Sequence, residues 1–167
     1  AITIYKRIQN GSAQGFSEEV RAEAELALAD IYYKRRQYNE AASLYTTVMS
    51  RNGKIAKGYA AYRLSWADFY QGRTDKAIAM LEKVLQTPAL LTRSSTMESV
   101  EIAPQFQEEI SRDLVTFYVQ KGATLTSAEK IYALSPEKAR LSHLFFLATE
   151  LERLGQKKSA ADVLKFL

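Results

Sequence analysis

Cysteine is absent from the 167 residues, which excludes disulfide staples, thiolate zinc ribbons and thiol nucleophiles, and fits several compartments. There is one histidine, so a zinc site or a His-based acid–base pair has no second imidazole to build on. Proline and glycine are scarce, at three and seven residues, and with abundant Ala, Leu, Glu, Lys and Arg this favours helix over sheet. No apolar run approaches the roughly 18 residues that span a bilayer, and no secretory leader pattern opens the chain. The net charge of +4, from 23 basic and 19 acidic residues, is too mixed to announce a nucleic-acid or membrane surface, and the densest basic cluster, Lys34-Arg35-Arg36, lies near an expected helix end, where cations suit the macrodipole.

What is present is repetition. The frames "AITIYKRI", "AASLYTTV", "AIAMLEKV", "AEKIYALS" and "AADVLKFL" begin at Ala1, Ala41, Ala77, Ala128 and Ala160. Three residues on come Ile4, Leu44, Met80, Ile131 or Val163, and four on come Tyr5, Tyr45, Leu81, Tyr132 or Leu164. The eighth place holds Ile8, Val48, Val84, Ser135 and Leu167. Apolar residues at i, i+3, i+4 and i+7 make one helical stripe, and a small first residue lets a neighbouring backbone come close. Upstream of each later Ala lies a partner helix, the first from about Glu18 to Arg36. Gly72, Gly122 and Gly155 mark the intervening turns, where positive φ is needed. Thr126 to Glu129 offers a capping box, and Ser135-Pro136-Glu137 reads as a helix start with Ser at the N-cap.

Four helix hairpins in register resemble the tetratricopeptide repeat family, whose period is 34 residues. The first full repeat supplies Leu28, Ala29, Tyr32, Tyr38, Ala41, Tyr45 and Val48, and the second Leu64, Ser65, Gly72, Ala77, Leu81, Val84 and Pro88. The third supplies Leu114, Tyr118, Gly122, Ala128, Tyr132 and Pro136, and the fourth Leu147, Ala148, Leu151, Gly155, Ala160 and Leu164. The resemblance implies an all-α, right-handed α-solenoid of antiparallel helix hairpins, about nine helices in one 1–167 unit. Residues 1–9 would be the second helix of a truncated repeat, followed by repeats at 18–50, 55–87, 105–135 and 136–167. Asp68 stands where the family has an aromatic and Val115 where it has a small residue, so packing should deviate there. Successive frame alanines lie 40, 36, 51 and 32 residues apart, which puts an insertion at 88–104 with room for a short helix around Ala89–Arg93. A chain that begins inside a repeat reads as a piece of a longer array, which leaves room for an upstream signal or anchor. Leu164, Phe166 and Leu167 lack a polar capping helix, which points to further protein or self-association at that end.

Catalytic patterns are weak. His143 reads as a packed imidazole; "GSAQG" lacks the spacing of a nucleophile elbow and "RNGKIAKG" that of a phosphate loop. Asn10 opens a formal glycosylation triplet that a short turn explains equally well. Glu108, Glu109, Arg112 and Asp113 read as a solvated ion-pair face. The distinctive feature is Tyr59, Tyr62, Trp66, Phe69 and Tyr70, which share one face of a first helix. In the family that helix lines the concave groove, with Ala61, Leu64 and Ser65 at the inter-helix positions. Tyr33, Lys34, Arg112 and Thr116 should extend the same wall, unless the stripe packs against the adjoining repeat or the long insertion. Leu26 and Asp30 occupy the places where the carboxylate-clamp subclass has Lys and Asn, so that ligand does not carry over. The expectation is a non-enzymatic scaffold without cofactor or metal that binds a protein or peptide segment on its concave face within a larger assembly. A self-associating spacer, or the regulatory repeats of a larger protein, is the alternative. No nucleic acid and no membrane insertion are expected. Resemblance of "EISRDLVTFYVQKG" and "AAYRLSWADFYQGR" to bacterial envelope repeat proteins suggests a periplasmic or envelope-associated setting, with the cytoplasm as the alternative.

Overall fold

The computed structural model describes residues 2–9, 15–51, 56–91 and 104–166. The Asn10 triplet, most of "GSAQG", the centre of "RNGKIAKG" and most of the 88–104 insertion lie outside them. Among the described residues the chain forms α1 (Ile2–Gln9), α2 (Glu18–Lys34), α3 (Tyr38–Ser50), α4 (Lys57–Tyr70) and α5 (Thr74–Gln86). After the insertion come α6 (Pro104–Lys121), α7 (Leu125–Leu134), α8 (Arg140–Arg153) and α9 (Lys157–Phe166). Short 3-10 turns occupy Pro88–Leu90 and Glu137–Ala139. Consecutive helices pack in order along the chain, which makes an all-α solenoid of antiparallel hairpins.

The frame alanines explain the packing. Ala41, Ala77, Ala128 and Ala160 are buried, each letting the facing helix approach, and the apolar residues after them fill the seam. Among the described residues two places in the frame depart from this rule, because Tyr132 and Leu164 are exposed, and Tyr132 instead meets Phe166 edge-on at 5.7 Å. The seam is two apolar clusters that meet on α4. Ala60, Leu64 and Ala67 face back towards α2 and α3, while Ala61 and Tyr62 face forward towards α6. Each fully buried leucine, such as Leu28, Leu81 or Leu147, stabilises the fold by about 1.5–3 kcal/mol relative to exposure.

Polar groups fix the ends. Ser17 Oγ accepts from Val20 N–H at the start of α2, with Glu18 and Glu19 in the first turn against the positive end of the helix. Glu25, 1 % exposed, is gripped by Arg51 through two bonds of 2.6 Å, and Arg51 Nη1 reaches Glu18 at 2.6 Å. That bridge ties α2 to the end of α3. The capping box lies at Thr124–Ser127, where Thr124 N–H donates to Ser127 Oγ at 3.1 Å, two residues earlier than the sequence suggested. The helix start expected at Ser135 also differs. A 3-10 turn intervenes and α8 begins at Arg140, and the Ser135 hydroxyl is engaged by His143 Nδ1 at 2.8 Å. His143 is a packed residue, and burial holds its imidazole below the ordinary value. Asp68, in the aromatic's place, is buried but paired with Arg73 at 2.5 Å, while Val115 packs fully.

Candidate functional site

First helices α2, α4, α6 and α8 form one wall of the solenoid, and the aromatic stripe of α4 lies across two of its joints. Tyr62 is 9 % exposed; its hydroxyl lies 2.8 Å from Asp113 Oδ2 and 3.1 Å from Glu109 Oε1, and its ring meets Phe106 edge-on at 5.7 Å. Trp66 donates its indole N–H to the same Asp113 Oδ2 at 2.8 Å and sits edge-on to Phe117 at 4.9 Å. Phe69 stacks on Phe117 at 4.3 Å. These three side chains close the joint between α4 and α6, so the stripe is mainly an inter-helix contact rather than open wall. The spacing put them on one face correctly; what it could not show is that α6 covers that face.

Tyr59 donates to Asp30 Oδ2 at 3.2 Å and helps bridge α4 back to α2. Asp30 also accepts from Tyr45 at 2.5 Å, and Arg63 lies 3.5 Å from it with the guanidinium 3.8 Å from the Tyr33 ring centre. Tyr70 is 52 % exposed and stacks on Tyr38 at 4.9 Å, with Tyr33 edge-on to both. Lys34 beside them is exposed. Tyr33, Lys34 and Tyr70 therefore gather at the turn end of the first two hairpins.

Arg112 and Thr116 line a trough of about 510 Å³ between α6 and α8, together with Gln105, Glu108, Glu109, Asp113 and Phe146. Counted back from the turn glycines Gly122 and Gly72, Arg112 and Thr116 stand at the places of Tyr62 and Trp66. Two large rings fill the wall at one joint. At the next, a threonine and an arginine that lies 5.5 Å over the Phe146 ring leave it open. Asp113 borders both regions, and it is not the solvated acid its spacing implied. Burial pushes its carboxyl above the ordinary value, the bonds from Tyr62 and Trp66 pull it back, and Glu109 adds to the rise. Burial first, then the Asp113 charge, raises the Tyr62 hydroxyl beyond any physiological titration.

Sequence reasoning passed over Arg63, Phe117 and Phe146, and used Asp30 only to exclude the carboxylate clamp. Asp30 carried a usable signal, an acid inside the otherwise apolar "LALADIYY". Among the described residues no group of three or more acidic or imidazole side chains is placed to hold a metal, and no helix is long and apolar enough to cross a membrane.

Residues 26–54 match the tetratricopeptide repeat family. Two solved structures share the fold over 98 % of this chain and 82 % of their own: nearly identical TPR-like repeats of a Podosopora anserina protein assigned as a kinesin light chain, and a single-substitution variant of them. Their TM-scores are 0.62 and 0.61 at 17 % identity, a likeness of fold. No curated protein matches the chain by sequence.

Proposed function

We propose, from a chain that carries a tetratricopeptide repeat at residues 26–54 and the fold of such repeats along its length, that this protein is a non-enzymatic scaffold. It holds a protein or peptide segment against the wall of α2, α4, α6 and α8, as one part of a larger assembly. The fold is of a kind that generally mediates protein–protein interaction. The observation that carries the reading is the trough at α6 and α8, open because Arg112 and Thr116 replace the rings that seal the preceding joint. Phe146 and the Arg112 stem supply apolar area, while Glu108, Glu109 and Asp113 suit a cationic side chain of the partner. Tyr33, Lys34 and Tyr70 would meet a segment long enough to run on towards the turn end.

A photo-crosslinking residue at Thr116 should capture a defined partner in the cells that make the protein, and one at Ala79 on the opposite side should not. Thr116→Trp, which rebuilds the ring of the neighbouring joint, should abolish capture at Gln105 without changing the thermal melt. The same adducts from both positions, or undiminished capture in the Trp variant, would overturn the reading. An envelope-associated setting, with the cytoplasm as alternative, belongs to this proposal and is tested by fractionating those cells.

One observation favours the self-associating alternative. A groove of about 380 Å³ between α8 and α9, floored by Ala148, Ala160 and Ala161 and flanked by exposed Phe145 and Leu164, corresponds to the surface that receives the next helix in earlier hairpins. Light scattering across a concentration series separates the two: the scaffold stays monomeric, and Phe145→Asp dissolves any association through this groove.

A further inference from the structure

Antiparallel hairpins place all four of their internal turns along one edge of the solenoid, and that edge is chemically unlike the rest. The turns "KRRQ" (34–37), "QGRTDK" (71–76), "KGATLT" (121–126) and "RLGQKK" (153–158) hold nine of the 23 basic residues and one of the 19 acidic ones. The remainder of the chain therefore carries net negative charge. Neighbouring turns touch: Tyr38 of the first stacks on Tyr70 at the second, and Lys121 of the third pairs with Asp75 of the second at 2.5 Å. Lys34, Arg35, Arg36, Lys76, Lys157 and Lys158 are exposed, and none of them takes part in an ion pair among the described residues.

Large apolar side chains project from the same edge. Tyr70 is 52 % exposed, Leu125 45 % and Leu154 48 %, one beside each of the last three turns. A second anomaly points the same way. Gly72, Gly122 and Gly155 take φ of +74°, +94° and +76°, but the equivalent residue of the first turn is Arg36, at +60°. The equivalence is set by the hydrogen bonds: Gln37 N–H donates to Tyr32 O, Arg73 N–H to Asp68 O and Gln156 N–H to Leu151 O, each at 2.9 Å. Left-handed backbone is costly for a residue with a β-carbon, and such strain collects at working surfaces.

We propose that this edge docks the protein, edge-on, to an anionic lipid bilayer. Lysine and arginine tips meet acidic headgroups while Tyr70, Leu125 and Leu154 enter the interfacial layer, the two-signal combination that gives stable peripheral attachment. No helix inserts. A nucleic acid is the poorer occupant, because the Tyr70 face that would stack on a base is already covered by Tyr38, and apolar tips interrupt the cationic track. Lys157, Lys158, Leu125 and Leu154 do not line the trough at α6 and α8, whereas Lys34 and Tyr70 border both surfaces, so variants at the first four are the ones that let either proposal fail without the other.

The test is co-sedimentation of the whole chain with phosphatidylcholine vesicles, with and without phosphatidylserine. Partition should be at least about tenfold stronger with phosphatidylserine and should collapse between about 0.1 M and 0.5 M salt. Lys157→Glu with Lys158→Glu, and separately Lys34→Glu with Arg35→Glu, should each weaken it by about tenfold or more, with unchanged melts, since these side chains are exposed. Leu154→Ser with Leu125→Ser should weaken vesicle partition and leave binding of an oligonucleotide or polyglutamate unaltered. Equal partition to both vesicles, no partition at low salt, tighter binding of either polyanion than of vesicles, or indifference to the leucine changes would each overturn the proposal.

Discussion

The joint between the first and second hairpins and the joint between the second and third solve one packing problem with opposite chemistry. Each centres on a carboxylate from a first helix that accepts bonds from aromatic residues: Asp30 from Tyr45 and Tyr59, Asp113 from Tyr62 and Trp66. At Asp30 the charge is answered by Arg63, 3.5 Å away, and the bridge stays half-exposed. At Asp113 no cation lies within ion-pair distance among the described residues, and the rings of Phe106 and Phe117 close the space. The second joint is also covered at one end, where Leu90 O of the Pro88–Leu90 turn would lie 1.8 Å from a β-carbon at position 58, so only glycine fits. One joint is an ionic bridge and the other an aromatic seal whose carboxylate, Asp113, is half-buried and borders the trough. The trough appears at the third joint, where neither device is used.

The sharpest break in that contrast is Phe117→Ala. Phe117 is fully buried and touches both Trp66 and Phe69, so truncation should cost about 3–5 kcal/mol by urea denaturation. A loss below about 1 kcal/mol would mean the seal contributes no more than a surface contact. Next in size is Gly58→Ala. The atom in the way is a backbone oxygen that cannot swing aside, so the turn must lift or α4 must shift, at about 1–3 kcal/mol or more. Faster hydrogen exchange at the Leu90 and Leu91 amides, which bond to Thr87 and Pro88 carbonyls, would report the lifted turn; unchanged exchange and an unchanged melt would show that it was never held.

A matched pair of amide substitutions compares the two carboxylates directly. Asp30→Asn removes the partner charge of Arg63 and should cost about 1–2 kcal/mol at neutral pH. Asp113→Asn keeps an acceptor for Tyr62 and Trp66 while removing a half-buried charge, so at neutral pH it should be stabilising, by about 0.5 kcal/mol. The pH dependence carries the sign. Because Asp113 titrates above its ordinary value in the fold, the native state binds more protons than the unfolded chain in that window. Its contribution is therefore fully present in acid and is lost as pH rises through the folded value. Urea midpoints for the wild type and the Asp113→Asn variant should converge at the acid end and separate towards neutral, and parallel curves would refute the assignment.

Much of this was legible in the sequence. The Ala-led frame encodes both period and buried stripe, so hairpins, stacking order and glycine turns follow from spacing. What the spacing could not encode was which face a neighbour covers. Tyr62 and Thr116 sit on equivalent faces, yet one is sealed and the other lines a trough, because side-chain size at the facing residues decides how far the first helices are filled. Local hydrogen bonding was equally hidden. Ser135 looks like a helix cap, yet its hydroxyl meets His143, and nothing in the spacing pairs Glu25 with Arg51, 26 positions on.

The same comparison can be made between turns. Gly72 takes its left-handed conformation freely, whereas Arg36 must hold a β-carbon where it meets the carbonyl, at about 1–2 kcal/mol. Arg36→Gly removes that strain but gives the unfolded chain about 0.5–1 kcal/mol more conformational freedom to lose, so the net gain in stability should be about 0.5–1 kcal/mol. A local structural role would predict the opposite sign, since removing a useful side chain destabilises. If the arginine is held there for its charge, the variant should be more stable and yet bind phosphatidylserine vesicles more weakly, a divergence that helix packing alone does not produce. A variant that gains stability and loses no affinity would show the strain to be incidental to the basic edge, and one that loses stability would show that the turn uses Arg36 for its own packing.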